Sequence, residues 1–288
     1  MIYKYDFAFI GGDMRQIYMI NDLINQGYSV IVYGLHDPLL DNRCVNGTTL
    51  IEVALSSKIV ITPIPISKDG IHVLSKSNCL INLDEFISLL TSDHRIFGGC
   101  FSKAMLEHFT SNQIDYHDFM EQEELTLYNS IATAEGVIAE AITSSKINLH
   151  ASKVLVMGYG RCAITLATKL KYLCGSVDIT ARSSEQLAKA YTASHHVIPL
   201  NELSNHIHEY DFIFNTIPSM VLTKDLLNKT KSHVIIIDIA SNPGGVDFTY
   251  AKEIGRYTNL YLGIPGKVSP KSSASFLNNH LLNQLRKK

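Results

Sequence analysis

The segment Val154-Leu-Val-Met-Gly-Tyr-Gly-Arg-Cys-Ala163 constrains this chain more than any other. An apolar strand runs straight into a Gly-x-Gly-x-x-Ala turn that opens a helix, and Ile164 to Leu173 continue with helical spacing. Gly158 makes the tight turn, Gly160 lets the backbone approach a pyrophosphate, and the small Ala163 lets helix and strand pack closely. The helix N-terminus offers unpaired N–H groups and the positive end of its dipole to the phosphates, with Arg161 beside them. The turn predicts a dinucleotide site on an α/β domain.

The end of the next strand, which begins near Val177, selects the nucleotide. An acidic residue there binds the ribose 2′-hydroxyl of NAD, whereas a nearby Arg accommodates the 2′-phosphate of NADP. Asp178 lies twenty residues beyond Gly158, so counting alone nominates it and NAD. Ile179, Thr180 and Ala181 extend the strand past it, however, which places Asp178 in mid-strand and leaves Arg182, Ser183 and Ser184 at the carboxyl edge. A guanidinium holds a phosphate with two hydrogen bonds, and serine hydroxyls add donors. The expected cofactor is NADP, bound by Arg182 and Ser183. The competing reading makes Arg182 a solvated residue before a helix capped by Ser183 or Ser184.

Composition excludes several other classes. A formal charge of −2 gives no electrostatic footprint for nucleic acid, and no apolar run approaches the length of a membrane span. Phe7 to Ile10 is short and runs into a glycine turn, unlike a signal peptide, so a cytoplasmic protein is expected. The five cysteines are scattered without Cys-x-x-Cys spacing and read as reduced thiols. The twelve histidines show no ligand spacing, and no metal is expected.

At 288 residues the chain is long enough for two domains. The expected fold is α/β, with two doubly wound parallel-sheet lobes joined by a long helix. Residues 1–120 form a flavodoxin-like N-terminal substrate domain, with strands at Phe7–Ile10, Ser29–Tyr33, Ile59–Thr62 and Arg95–Phe97. Residues 121–147 are the linking helix, interrupted near Ala134-Glu135-Gly136. Residues 148–268 are a Rossmann-like cofactor domain, with further strands at Phe212–Asn215, Val234–Asp238 and Leu260–Leu262. After Pro265-Gly266 a loop is expected, then residues 269–288 with a helix over Ser272–Leu285 that returns to the first domain. Such lobes leave a cleft where a substrate meets the nicotinamide.

The loops after the later strands carry Thr216, Pro218 and Ala240, expected at the cofactor's ribose and nicotinamide. On the substrate side, Gly11-Gly12-Asp13-Met-Arg15-Gln16 resembles an anion-binding helix start, with Arg15 either holding a carboxylate or bracing Asp13. Asn129, Thr133 and Gly136 fall within helical reach of one another, while Lys267 and Lys271 flank Pro270. Neither a Gly-x-Ser-x-Gly elbow nor a nucleophilic cysteine signature is present, and the catalytic residue is unknown.

Seven segments, in order along the chain, then point to one family. They are Ile10-Gly-Gly-Asp-Met-Arg-Gln16, Tyr128-Asn-Ser-Ile-Ala-Thr-Ala-Glu-Gly136, Gly158-Tyr-Gly-Arg161, Ala181-Arg-Ser183, Asn215-Thr-Ile-Pro-Ser-Met220, Asp238-Ile-Ala-Ser241 with Pro243-Gly-Gly245, and Pro265-Gly-Lys-Val-Ser-Pro-Lys271. Together they resemble the A subunit of dipicolinate synthase over essentially the whole chain. Ala163 departs from a glycine common in relatives, and Lys267 from an apolar residue. The resemblance implies a sporulation enzyme, in the mother-cell cytoplasm, on a branch of lysine and diaminopimelate biosynthesis. It would turn a cyclic dihydrodipicolinate-type precursor into pyridine-2,6-dicarboxylate with NADP⁺. A smaller flavoprotein-like B subunit is the implied partner, and a homo-oligomer stays open. For the dicarboxylate substrate, the candidates are Arg15, Asn129, Thr133 and Ser219. Two other readings stand beside it: a two-lobed 2-hydroxy- or 2-amino-acid dehydrogenase, and a non-catalytic subunit that senses NADP(H).

Overall fold

The computed structural model describes residues 3–77 and 79–287, which form two compact units. The first holds the chain to residue 128 together with the segment from 269 onward; the second is 129–268. Among the described residues no helix is long and apolar enough to cross a membrane.

In the first unit six parallel strands, β1 (Phe7–Ile10), β2 (Val30–Tyr33), β3 (Val45–Asn46), β4 (Ile59–Ile61), β5 (Arg95–Gly98) and β6 (Asp115–Asp118), lie in the order β3-β2-β1-β4-β5-β6. Five of them follow the flavodoxin-like order, and the two-residue β3 extends one edge. The apolar run of β1 is buried on both faces, as a central parallel strand requires. Phe7 and Phe9 enter one core layer, and Ala8 and Ile10 enter the other. Helix α1 (Met14–Asn25) starts in a capping box: the Asp13 carboxylate accepts the Arg15 N–H at 2.9 Å, and the Gln16 side chain accepts the Asp13 N–H at 2.9 Å. Short helices α2 (Leu50–Leu55), α3 (Leu83–Ser88) and α4 (Lys103–Ser111) follow.

Helix α5 (Glu123–Ser144) runs without a break through Gly136. The expected interruption is absent because this glycine serves close packing: a Cβ there would overlap Ile264 of helix α10 (Ile264–Val268). The second sheet contains β7 (Val154–Met157), β8 (Asp178–Ala181), β9 (His196–Pro199), β10 (Phe212–Asn215), β11 (Ile235–Asp238) and β12 (Tyr257–Leu260). All are parallel, in the order β12-β11-β10-β7-β8-β9. Val154 and Val156 face the layer that contains Ala134, Val137 and Ala141 of α5, while Leu155 and Met157 face the other. The last strand ends at Leu260, earlier than its sequence suggests, and Pro265 to Val268 are helical where a loop was expected. Pro270 then occupies the first turn of α11 (Pro270–Arg286), a place that needs no N–H from it. Within the first unit, Ala274, Leu277 and Leu281 of α11 join the core containing Ile17, Ile20 and Leu23 of α1.

The α11 seam should respond to pH. His117 of β6 and His280 of α11 stack with their Nε2 atoms 2.9 Å apart, and Glu124 lies 3.9 Å from His280. Burial, helped by His280 and Arg95 and opposed by Asp115, pushes His117 down to about 4; burial also lowers His280. The unfolded chain takes up this proton near pH 6.5, well before the folded chain does. The associated stability is therefore complete above pH 6.5 and lost as pH falls toward 4. Urea unfolding at pH 7 and pH 4.5 should show a loss of about 1–2 kcal/mol across this window, allowing for partial exposure, that His117→Gln reduces.

Candidate functional site

Strand order in the second unit reverses between β7 and β10, so a ligand crevice lies at their carboxyl ends. Gly158 follows β7 with φ +92° and donates its N–H to the Thr180 carbonyl at 2.7 Å. A Cβ on Gly158 would overlap Thr216 Oγ1, which is itself held by a 2.8 Å bond to the Met157 carbonyl. Gly160 caps α6 (Arg161–Cys174) without any side-chain bond, and a Cβ there would meet nothing within 4 Å. Ala163 is fully buried, while Arg161 is exposed at the first helical position. The helix start is thus an open cradle of N–H groups and fits a pyrophosphate.

At the neighbouring strand end, β8 stops at Ala181 and Arg182 stands exposed, without a hydrogen bond or ion pair to another described residue. Ser183 caps α7 (Ser184–Thr192): its oxygen accepts the Gln186 N–H at 3.4 Å, leaving its own O–H to donate. Asp178 is the first residue of β8 rather than a mid-strand one. It is 8% exposed, pairs in register with Leu155 and accepts the Tyr210 hydroxyl at 2.8 Å. It stands at the opposite end of the strand from the crevice.

The loops after β10 and β11 are fastened by a fully buried pair that sequence reading passed over. Asn215 donates to Asp238 Oδ1 at 2.9 Å and to the Ile217 carbonyl at 3.1 Å, and accepts the Ile217 N–H at 3.1 Å. Asp238 also accepts the N–H groups of Ala240 at 2.9 Å and Gly245 at 2.6 Å. Burial pushes its carboxyl up while these donors pull it down, with a net rise. A Cβ on Gly245 would stand 2.5 Å from Asn215 Nδ2 and 2.7 Å from the Ser219 carbonyl, so only glycine admits this closeness. Thr216, Pro218, Ser219 and Ala240 all sit on the two loops so joined. The signal was present in sequence as Asn and Asp ending apolar strands ahead of Pro- and Gly-rich turns.

On α5, the Thr133 hydroxyl donates to the Asn129 carbonyl at 2.9 Å, one turn back, a bond that satisfies it locally. In the first unit the Arg15 guanidinium clasps the Asp13 carboxylate, with Nη2 at 2.7 Å, and also donates to the Ile64 carbonyl; its side chain is 7% exposed. This is the brace geometry. Sequence reading also missed how residues 74–77 cross the glycine turn. Leu74 accepts the Gly12 N–H at 2.8 Å, the Lys76 N–H donates back to Gly12 at 2.8 Å, and Ser75 and Ser77 both donate to the Gly34 carbonyl. The Gly12 N–H is thereby taken by the protein's own backbone. Among the described residues no cluster of three or more His, Cys, Asp or Glu is placed to hold a metal.

A family model for the N-terminal domain of the dipicolinate synthase A subunit matches residues 6–120. The A subunit of dipicolinate synthase from Bacillus subtilis (strain 168) is 32% identical over 279 residues, 95% of this chain and 93% of that one. The chain belongs to the family of dipicolinate synthase A subunits. The crystal structure of the corresponding protein from Bacillus halodurans has a TM-score of 0.88 at 28% identity, covering 99% of each chain. That of the Bacillus subtilis protein has a TM-score of 0.85 at 30% identity, covering 100% of this chain and 97% of that one. A shikimate/quinate 5-dehydrogenase model matches residues 138–257, across the glycine turn, Arg182 and the Asn215–Asp238 pair. This member of the dipicolinate synthase family is therefore an oxidoreductase with a dehydrogenase domain of the nicotinamide-using kind.

Proposed function

We propose that this chain is the NADP-dependent A subunit of a dipicolinate synthase. It oxidises a cyclic dihydrodipicolinate-type precursor to pyridine-2,6-dicarboxylate in sporulating cells, working with a smaller flavoprotein-like B subunit. The observation that carries the cofactor choice is Arg182, exposed and unbonded at the edge of β8, while Asp178 is buried at the other end of that strand. Family membership supports the product.

Bound NADP⁺ supplies the hydride acceptor. The N–H groups at Gly160 and Arg161 bind the pyrophosphate, and Arg182 and Ser183 donate to the 2′-phosphate. Thr216, Pro218 and Ala240 flank the ribose and nicotinamide and keep water out. Asn129 and Ser219 are the proposed donors to substrate carboxylates; the Thr133 hydroxyl donates within its own helix, and the Arg15 guanidinium donates to Asp13 and Ile64. From a dihydropyridine precursor, loss of a hydride to NADP⁺ and of a ring proton would complete an aromatic ring, so the product itself provides the driving force.

The test is an assay of the purified chain, alone and with its partner subunit, using NADP⁺ and freshly generated precursor. Absorbance of NADPH and of the pyridine product should rise together. Product only with the partner present marks a composite enzyme, whereas NADP(H) binding without product under either condition leaves the sensing role. Turnover of a 2-hydroxy or 2-amino acid in place of the precursor marks the other dehydrogenase.

A further inference from the structure

We infer that Asn215 and Asp238 are positioning residues for the cofactor, acting through the loops they join; this rests on reading the second unit as the NADP site. Both are 0% exposed, and both end strands at the crevice rather than facing solvent. One carboxylate gathers three donors from three places: Asn215 at the end of β10, Ala240 just past β11, and Gly245 at the far side of the Asn242–Pro243 turn. The returning loop is then sewn to the other, because the Gly245 carbonyl accepts the N–H groups of Val221 and Leu222, each at 2.9 Å. Between those two fastenings lie Thr216 to Met220, which the pair holds at their root through both polar groups of Ile217.

Simple structural stapling would not need this chemistry. The same loops already carry an apolar anchor in Ile217, Leu222 and Val246, buried in the layer of Leu155 and Met157. The polar pair adds direction: beyond the bond between its own side chains, it fixes both backbone polar atoms of Ile217 and the N–H groups of Ala240 and Gly245, on the loops proposed to border the nicotinamide. Its demands are strict, since Asn215 must offer donor and acceptor at once and Asp238 must accept only. Asp238→Asn keeps the shape but turns an N–H₂ toward an N–H donor, and so breaks one of the fastenings between the loops.

The experiment measures the dissociation constant of NADPH by fluorescence and the melting temperature separately, on full-length chains confirmed folded by circular dichroism. Asp238→Asn should weaken NADPH about tenfold or more, as misplacement of a contact loop would. Leu227→Ala, a buried core truncation on α8 (Lys224–Asn228), should lower the melting temperature at least as much while leaving NADPH affinity unchanged. If Asp238→Asn does not fold, Asn215→Ser, which keeps one hydroxyl, serves in its place and should also weaken NADPH. NADPH binding within about twofold of native in the folded variant, or an equal weakening by Leu227→Ala, overturns the positioning role. A native chain that binds no NADPH overturns the cofactor reading itself, and the inference with it.

Discussion

Gly158→Ala should abolish useful nucleotide binding, raising the dissociation constant of NADPH by about two orders of magnitude. The residue sits at φ +92°, where a Cβ costs roughly 1–2 kcal/mol, and that Cβ would overlap the Thr216 hydroxyl. The turn and the Thr216 loop must part, which moves two elements of the site at once. A fall in melting temperature of about 5 °C or more should accompany the loss. Gly160→Ala separates binding from folding. Its backbone is ordinary at φ −90°, and its Cβ would meet no protein atom within 4 Å. This variant should melt within about 1 °C of native and yet bind NADPH poorly, because the added methyl occupies the space left for the pyrophosphate. Isothermal titration beside thermal unfolding checks both; native affinity in Gly160→Ala would mean that the phosphates lie elsewhere.

Arg182→Ala should cost NADP(H) alone. Two charge-assisted hydrogen bonds to a 2′-phosphate are together worth about 2–3 kcal/mol, a weakening of roughly 30- to 150-fold. NADH, which has only a hydroxyl at that position, should bind the variant within about twofold of native. Because the guanidinium bonds to no other described residue, its removal leaves no buried group unpaired, and the melting temperature should not move. Parallel titrations with NADPH and NADH decide the matter, and equal weakening of both would show that Arg182 does not select the nucleotide.

Elements with strong local signals were legible in the sequence. The run into Gly158 gave both β7 and its helix, since a central parallel strand is apolar throughout and the glycines have steric duties. Asp13 and Gln16 likewise announce α1 through their capping box. Less legible was anything set by contacts distant in sequence. Gly136 looked like a helix breaker because its partner, Ile264, lies far along the chain. The segment crossing Gly12 has little periodicity, because it is held by backbone bonds to other loops rather than by a regular ladder. Arg15 left two readings open in the sequence, a carboxylate ligand or a brace on Asp13, because its bond to Ile64 depends on a residue far along the chain. The Asn215–Asp238 pair was hidden for a related reason: each residue alone is an unremarked polar end to a strand, and the meaning lies in their 2.9 Å separation.

Following the hydride tests the central claim most directly. Precursor deuterated on its ring carbons, incubated with NADP⁺ and both assembled proteins, should yield dipicolinate and reduced cofactor together. Mass spectrometry of that cofactor should find one deuterium per NADPH, in proportion to the dipicolinate formed. Dipicolinate accumulating while the nucleotide stays oxidised, or is reduced without label, would contradict the account.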